Sequence, residues 1–161
     1  MSALLRLGTA DLEPLAALEQ RAQPLPWSED QLLLELVHED ARVLGLVENG
    51  TLLGYLAVRK MLEEAWVLNL AVDSTHRRRG LGRALLGAAV DVSHEWRSTS
   101  LWLEVREHNA PALALYQHVG LRERGRRPGY YAPIPPSMTR EAAIVMALDL
   151  PSATARGPAR T

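Results

Sequence analysis

Residues 64 to 89 decide the fold. They read Glu64-Ala65-Trp66-Val67-Leu68-Asn69-Leu70-Ala71-Val72-Asp73, then Ser74-Thr75-His76-Arg77-Arg78-Arg79-Gly80-Leu81-Gly82-Arg83, then Ala84-Leu85-Leu86-Gly87-Ala88-Ala89. The first ten have the apolar run of a buried strand, the next ten form a short basic loop with two glycines, and the rest opens an amphipathic helix. Strand, glycine turn and helix start together make an anion site. Glycines let backbone N–H groups crowd around an oxyanion, and the helix start adds unpaired donors and the positive end of a dipole. Arg77, Arg78, Arg79 and Arg83 add fixed positive charge. The expected ligand therefore carries phosphate, pyrophosphate above all.

Spacing removes two familiar phosphate loops. A P-loop needs Gly-Lys-Ser/Thr, and here Gly82 is followed by Arg83 and Ala84. A dinucleotide loop needs a third Gly or Ala, where this chain has Leu85. What remains is Arg77-x-x-Gly80-x-Gly82, which resembles the coenzyme A pyrophosphate loop of the GCN5-related N-acetyltransferases. On spacing alone the stretch is also open to a plainer reading, a strand-to-helix turn with a solvated basic face.

A chain of 161 residues suits one domain with a sizeable core, expected over 1–150. A net charge of −1 implies no overall nucleic-acid-binding surface. The absence of cysteine removes disulfides, thiolate metal sites and cysteine nucleophiles. His38, His76, His94, His108 and His118 have no metal-ligand spacing, so no metal site is expected. There is no apolar run long enough to span a membrane and the first residues lack the shape of a signal peptide, so a cytoplasmic location is the expectation.

Ala3 to Leu7 reads as a first strand, and Thr9 as the cap of a helix to about Arg21, with Leu12, Leu15, Ala16 and Glu19 on one stripe. Pro24-Leu25-Pro26-Trp27 breaks it. Ser28 and Gln31 form a capping box for a second helix whose apolar face is Leu32, Leu33, Leu36 and Val37. Arg42 to Glu48, Thr51 to Lys60 and Ala65 to Val72 follow as an antiparallel meander, with Asn49-Gly50 at the first turn. The organising helix starts near Gly80, and Ser100 to Val105 is the next strand. A strand–helix–strand crossover predicts that this strand lies parallel to its neighbour. Asn109 caps a further helix that Gly120 stops. A strand from Leu121, a loop rich in Pro and Tyr, and a last strand over Ala142 to Leu150 complete the expected order. The fold class is α/β (α+β), a mixed, mostly antiparallel sheet flanked by helices with a splayed parallel strand pair. Pro151 to Thr161 reads as a disordered tail.

Glu104 interrupts Leu101-Trp102-Leu103-Glu104-Val105, a strand expected to be covered on both faces. A carboxylate there is costly unless paired or neutral, and such a group suits a general base. It could equally pair with one of the many arginines or sit at a solvent-open strand end. Tyr116 lies on the stripe Ala112, Leu115, Tyr116, Val119, so it is a core tyrosine unless its hydroxyl reaches the sheet opening. Trp27, Tyr130 and Tyr131 could line a substrate groove or cover a core edge.

With these residues placed, the chain resembles the ribosomal-protein alanine N-acetyltransferase (RimI) branch of that superfamily from about residue 10 to 148. The likeness rests on Glu19-Gln20-Arg21-Ala22, Pro26-Trp27-Ser28, Asn69 to Asp73, Arg79 to Leu86, Leu101 to Arg106, Asn109-Ala110, Ala114-Leu115-Tyr116, Tyr130-Tyr131 and Ile144 to Leu148. The resemblance implies acetyl transfer from acetyl-CoA to a protein N-terminal alanine, the substrate being a small-subunit ribosomal protein. It implies Glu104 as general base and Tyr116 as general acid. It implies Leu70, Ala71 and Val72 as the strand edge for the pantetheine arm, Arg77, Arg78, Arg79, Gly80, Leu81, Gly82 and Arg83 as the pyrophosphate loop, and Asn109 as a further coenzyme contact. Pro128-Gly129 and the loop Ala132 to Arg140, with three prolines, depart from that branch where the peptide should bind. Two other functions compete: an acetyltransferase for a different amine, and a module that holds coenzyme A without turnover.

Overall fold

The computed structural model describes residues 2–151. Apart from Pro151, the expected tail lies outside the described residues. One seven-stranded sheet has the order β1-β2-β3-β4-β5-β7-β6. Its strands are β1 (Ala3–Arg6), β2 (Ala41–Glu48), β3 (Thr51–Met61), β4 (Glu64–Val72), β5 (Ser100–Arg106), β6 (Arg122–Tyr131) and β7 (Glu141–Asp149). The helices are α1 (Leu12–Ala22), α2 (Glu29–Val37), α3 (Leu81–Glu95) and α4 (Ala110–Val119).

The local signals act as their chemistry requires. Asn49 and Gly50 both take positive φ, 52° and 76°, as a tight β2–β3 turn demands. Ser28 Oγ accepts from Gln31 N at 3.1 Å and Gln31 Oε1 accepts from Ser28 N at 2.8 Å, closing the capping box of α2. Gly120 ends α4 at φ 115°. Thr9 does not cap α1. It opens a single 3-10 turn, and Gly8 N–H donates instead to Asp11 Oδ2 at 2.8 Å.

Two expectations change on packing. In α2 only Leu32 and Leu36 turn inward, while Leu33 and Val37 stay exposed. Glu35 is buried in their place because Arg59 of β3 pairs with its carboxylate. Tyr130 and Tyr131 sit on the end of β6, not in a loop, because β6 continues beside β7.

One strand contact shapes the molecule. β4 and β5 are parallel, as the crossover rule predicts, but pair only from Glu64↔Ser100 to Trp66↔Trp102. There the two indoles stack, with centroids 5.5 Å apart and planes 18° apart. Beyond that point β5 pairs with β7 as far as Arg106↔Ala143, while β4 keeps β3. A bulge at Leu68 shifts the β3–β4 register, Val58↔Val67 being followed by Ala57↔Asn69. It reverses which side chains face which layer. Ala65 and Val67 pack toward α3, whereas Ala71 packs with the α1 side.

Helix α3 buries Leu81, Leu85, Leu86, Ala88, Ala89 and Val92 against the sheet. Leu85→Ala leaves a cavity where no solvent reaches, so we expect a loss of about 2 to 5 kcal/mol in urea unfolding. A loss under about 1 kcal/mol would mean that this face collapses freely around the gap.

Candidate active site

The splay of β4 from β5 opens a cleft with two connected lobes. One lobe, about 670 Å³, lies between the residues before α2, β4, β5 and the end of β6. The other, about 680 Å³, runs along β4 to the start of α3 and to α4. Gln23, Pro24, Leu70, Asn109 and Tyr116 border both.

The second lobe is made for an anion. Gly80 takes φ +76° with open space where a Cβ would sit, and no side chain caps the first turn of α3. The first amides of α3 are therefore free to meet a phosphate. A Cβ on Gly82 would come within 3.2 Å of Leu115 Cδ2, so glycine lets α4 close against the loop. Asp73 starts the loop: its Oδ1 accepts from Thr75 N at 3.1 Å and its Oδ2 from Arg21 at 3.1 Å. The Thr75 N–H above all, and then the Thr75 hydroxyl and Arg21, hold its carboxyl below the usual range.

Leu70, Ala71, Val72, Arg77, Arg78, Gly80, Leu81, Gly82, Arg83 and Asn109 all line this lobe. Arg79 does not. Its guanidinium pairs with Glu48 at 2.8 Å and contacts His76 Nδ1 at 2.9 Å, so it fastens the loop to β2. Among the described residues no carboxylate pairs with Arg78 or Arg83. The strand edge is not bare. Leu70 N–H donates to Asn69 Oδ1 at 3.0 Å, and Leu70 C=O accepts from Gln23 Nε2 at 3.3 Å. Asn109 Oδ1 is engaged at the start of α4, accepting from Ala112 N at 3.3 Å.

The first lobe holds the titratable groups. In β5, Leu101, Leu103 and Val105 are buried, while Trp102, Glu104 and Arg106 are half-buried on the opposite face. Glu104 is thus half-buried on the face that lines the first lobe, not in a strand covered on both sides. Its side chain is 17% exposed, and Arg127 Nη2 lies 3.5 Å from its Oε1. The arginine partner that the sequence left open is therefore present. Arg127 also lies over the Tyr130 ring, 5.3 Å from the centroid. Tyr130 and Tyr131 meet edge to face at 5.0 Å, and Arg106 lies over Tyr131 at 4.6 Å. Burial, and then the Glu104 carboxylate, push both phenols up from the usual value. Trp27, Tyr130 and Tyr131 all line this lobe with Glu104.

Tyr116 is buried in α4 yet borders both lobes. Burial alone pushes its phenol up to about 12. It therefore stays protonated at neutral pH and is available as a donor to a group that gains negative charge beside it.

Missed by spacing was the group behind the first lobe. Glu19 is 1% exposed, and its carboxylate accepts from Tyr55, Asn69 and the Trp27 N–H. The available signal was a glutamate on the apolar stripe of α1.

An uncapped helix start, a splayed parallel strand pair, and a carboxylate and a protonated tyrosine that border the same lobe thus come together in one cleft. The family model described as Acetyltransferase (GNAT) family matches residues 12–121, and this chain belongs to that family. It is 39% identical over 152 residues to the [Ribosomal protein bS18]-alanine N-acetyltransferase of Escherichia coli K12, covering 93% of this chain and 99% of the relative. The corresponding protein of Haemophilus influenzae is 36% identical, covering 91% of this chain and 98% of the relative. The crystal structure of the ribosomal-protein-S18-alanine N-acetyltransferase from Escherichia coli superposes with a TM-score of 0.88 at 37% identity, over 100% of this chain and 99% of that one. Arabidopsis thaliana NAA60 in complex with acetyl-CoA shares the fold, with a TM-score of 0.84 at 19% identity over 93% of this chain and 99% of that one.

The raised Tyr116 phenol carries a sign. The unfolded chain loses this proton near pH 10 and the folded protein near 12, so the folded state holds it more tightly between those values. Stability falls as pH rises through that window. Urea midpoints at about pH 9 and about pH 11 should fall less in Tyr116→Phe than in the wild type.

Proposed function

We propose that this protein transfers the acetyl group of acetyl-CoA to the N-terminal α-amine of a protein, an alanine at the start of a small-subunit ribosomal protein. The observation that carries it is the two-lobed cleft, with Glu104 facing one lobe, the uncapped Gly80–Arg83 turn facing the other, and Tyr116 between them. The nature of the relatives, matched over nearly their whole length and named for bS18 alanine acetylation, supports the acceptor. A cytoplasmic site of action accompanies this reading.

The free amides of α3, with Arg77, Arg78 and Arg83, suit the pyrophosphate of the coenzyme. The acetyl thioester supplies an electrophilic carbonyl when bound. The β4 edge suits the amide-bearing arm, once Gln23 and Asn69 yield their bonds to Leu70. Glu104 takes a proton from the acceptor ammonium, whose ordinary pKa of about 8 makes this inexpensive near neutrality. The neutral nitrogen forms the new C–N bond as the C–S bond breaks, the Tyr116 hydroxyl gives its proton to the departing sulfur, and the second proton that the nitrogen sheds on becoming an amide restores the phenol. Arg127 stands 3.5 Å from Oε1 of Glu104, and an arriving ammonium competes with it for that carboxylate. Its exposed guanidinium can swing into solvent at little cost.

Mass spectrometry on three peptides tests the acceptor: a free N-terminal Ala followed by basic residues, the same peptide with a blocked N-terminus, and one with an internal Lys. We expect only the first to gain an acetyl group; acetylation of lysine alone would overturn the assignment. Glu104→Gln should lower turnover by about 10² to 10⁴, with acetyl-CoA binding nearly unchanged. The double variant Arg78→Ala/Arg83→Ala should instead raise the KM for acetyl-CoA about tenfold or more and spare kcat. An unchanged KM would place the pyrophosphate elsewhere.

A further inference from the structure

Glu19 is a buried carboxylate that the transfer chemistry does not use. Its side chain leaves α1 toward the sheet and is closed from solvent, with 1% exposure. Three donors from three separate parts of the chain meet it. Tyr55 of β3 donates its hydroxyl to Oε1 at 2.8 Å. Asn69 of β4 donates Nδ2 to Oε2 at 2.9 Å, and Trp27 donates its backbone N–H to the same oxygen at 2.9 Å. Among the described residues no basic side chain pairs with it. A buried carboxylate without a counter-charge is costly unless its oxygens are fully bonded, so its donors are held firmly in place.

Those donors belong to the walls of the first lobe. The residues between α1 and α2, Pro24 and Leu25 with Trp27, form one wall, and this segment has no strand partner to fix it. Gln23 at its start bonds Asn69 Oδ1 and Leu70 O of β4, and the Trp27 N–H bond to Glu19 links its far end, through that carboxylate, to Tyr55 and Asn69 of the sheet. Asn69 follows the Leu68 bulge and stands beside the strand opening. Burial and the neighbouring Glu19 charge keep the Tyr55 phenol well above its ordinary value, so it stays a donor throughout the working pH range. A carboxylate can satisfy all three donors at once; the amide of a glutamine presents an NH2 where one of them must point.

We propose that Glu19 is the positioning residue of the acceptor lobe: by tying the Trp27 segment and Asn69 to β3, it sets the width of the opening through which the amine-bearing peptide reaches Glu104. It borders the lobe but, at 1% exposure, presents almost no surface to it, so it acts through the groups it holds. This rests on the acetyl-transfer reading for the identity of the acceptor, and the wild-type peptide assay tests that reading separately.

The test is steady-state kinetics of Glu19→Gln, varying peptide and acetyl-CoA in turn. The peptide KM should rise about fivefold or more, while kcat and the acetyl-CoA KM stay within about twofold. A merely structural role would lower the active fraction and so cut kcat, leaving both KM values where they were. Tyr55→Phe removes one donor to Glu19 and the 2.7 Å bond that Asn69 gives to the Tyr55 hydroxyl, but leaves the Trp27 and Asn69 bonds to Glu19, so it keeps the question open to measurement even where Glu19→Gln folds poorly. It should shift the peptide KM in the same direction by about two- to threefold. An unchanged peptide KM in both variants, in Tyr55→Phe where it alone folds, or a fall in kcat alone, would overturn the proposal.

Discussion

The short parallel contact between β4 and β5 is the constraint on which the rest depends. Three residue pairs join the strands, and the Trp66–Trp102 stack ends the contact. Beyond it each strand has only one neighbour. Unpaired backbone is expensive in a closed interior, so the divergence must either open to solvent or receive a ligand that supplies hydrogen bonds. Here Asn69 and Gln23 satisfy the Leu70 amide and carbonyl from the side. The cleft, the placement of α3 at one end and of Tyr116 from α4 across it all follow from where the two strands part.

Three carboxylates near the α1–α2 side of the sheet show how environment divides roles. Glu35 is buried and neutralised by Arg59. Glu19 is buried and held by three neutral donors. Glu104 is partly exposed, with the solvent-exposed guanidinium of Arg127 beside it. Only the last combines access with a replaceable partner, which is what a proton acceptor for an incoming ammonium requires. The other two are closed off, Glu35 by the Arg59 side chain and Glu19 by Tyr55, Asn69 and the Trp27 N–H.

Much of the architecture was legible in the chain because its signals are local. The Asn49-Gly50 turn, the Ser28–Gln31 box, the Gly120 stop and the strand–loop–helix at 64 to 89 each depend on residues within a few positions of one another. The candidate site was legible in part for the same reason: Gly80, Gly82 and Arg83 act through their own backbone and neighbours. Arg79 was not, since its charge is drawn away by Glu48 on β2, thirty-one residues earlier. Nor was the inward turn of Glu35, which needs Arg59, or the outward turn of Leu33 and Val37, which reflects how little of α2 the sheet covers.

By itself, then, the sequence determined the order of strands and helices, the mixed sheet with its parallel crossover, and a basic, glycine-containing turn at the head of α3, because short-range periodicity and backbone chemistry encode those features. Tertiary structure alone decided that Glu104 faces an open lobe beside Arg127, that Tyr116 stands between two lobes, and that Glu19 draws three segments together. Those outcomes depend on the Leu68 bulge, which reverses the facing of β4, and on how far each helix reaches across the sheet. Both are set by packing between residues distant in the chain, and no local pattern records them.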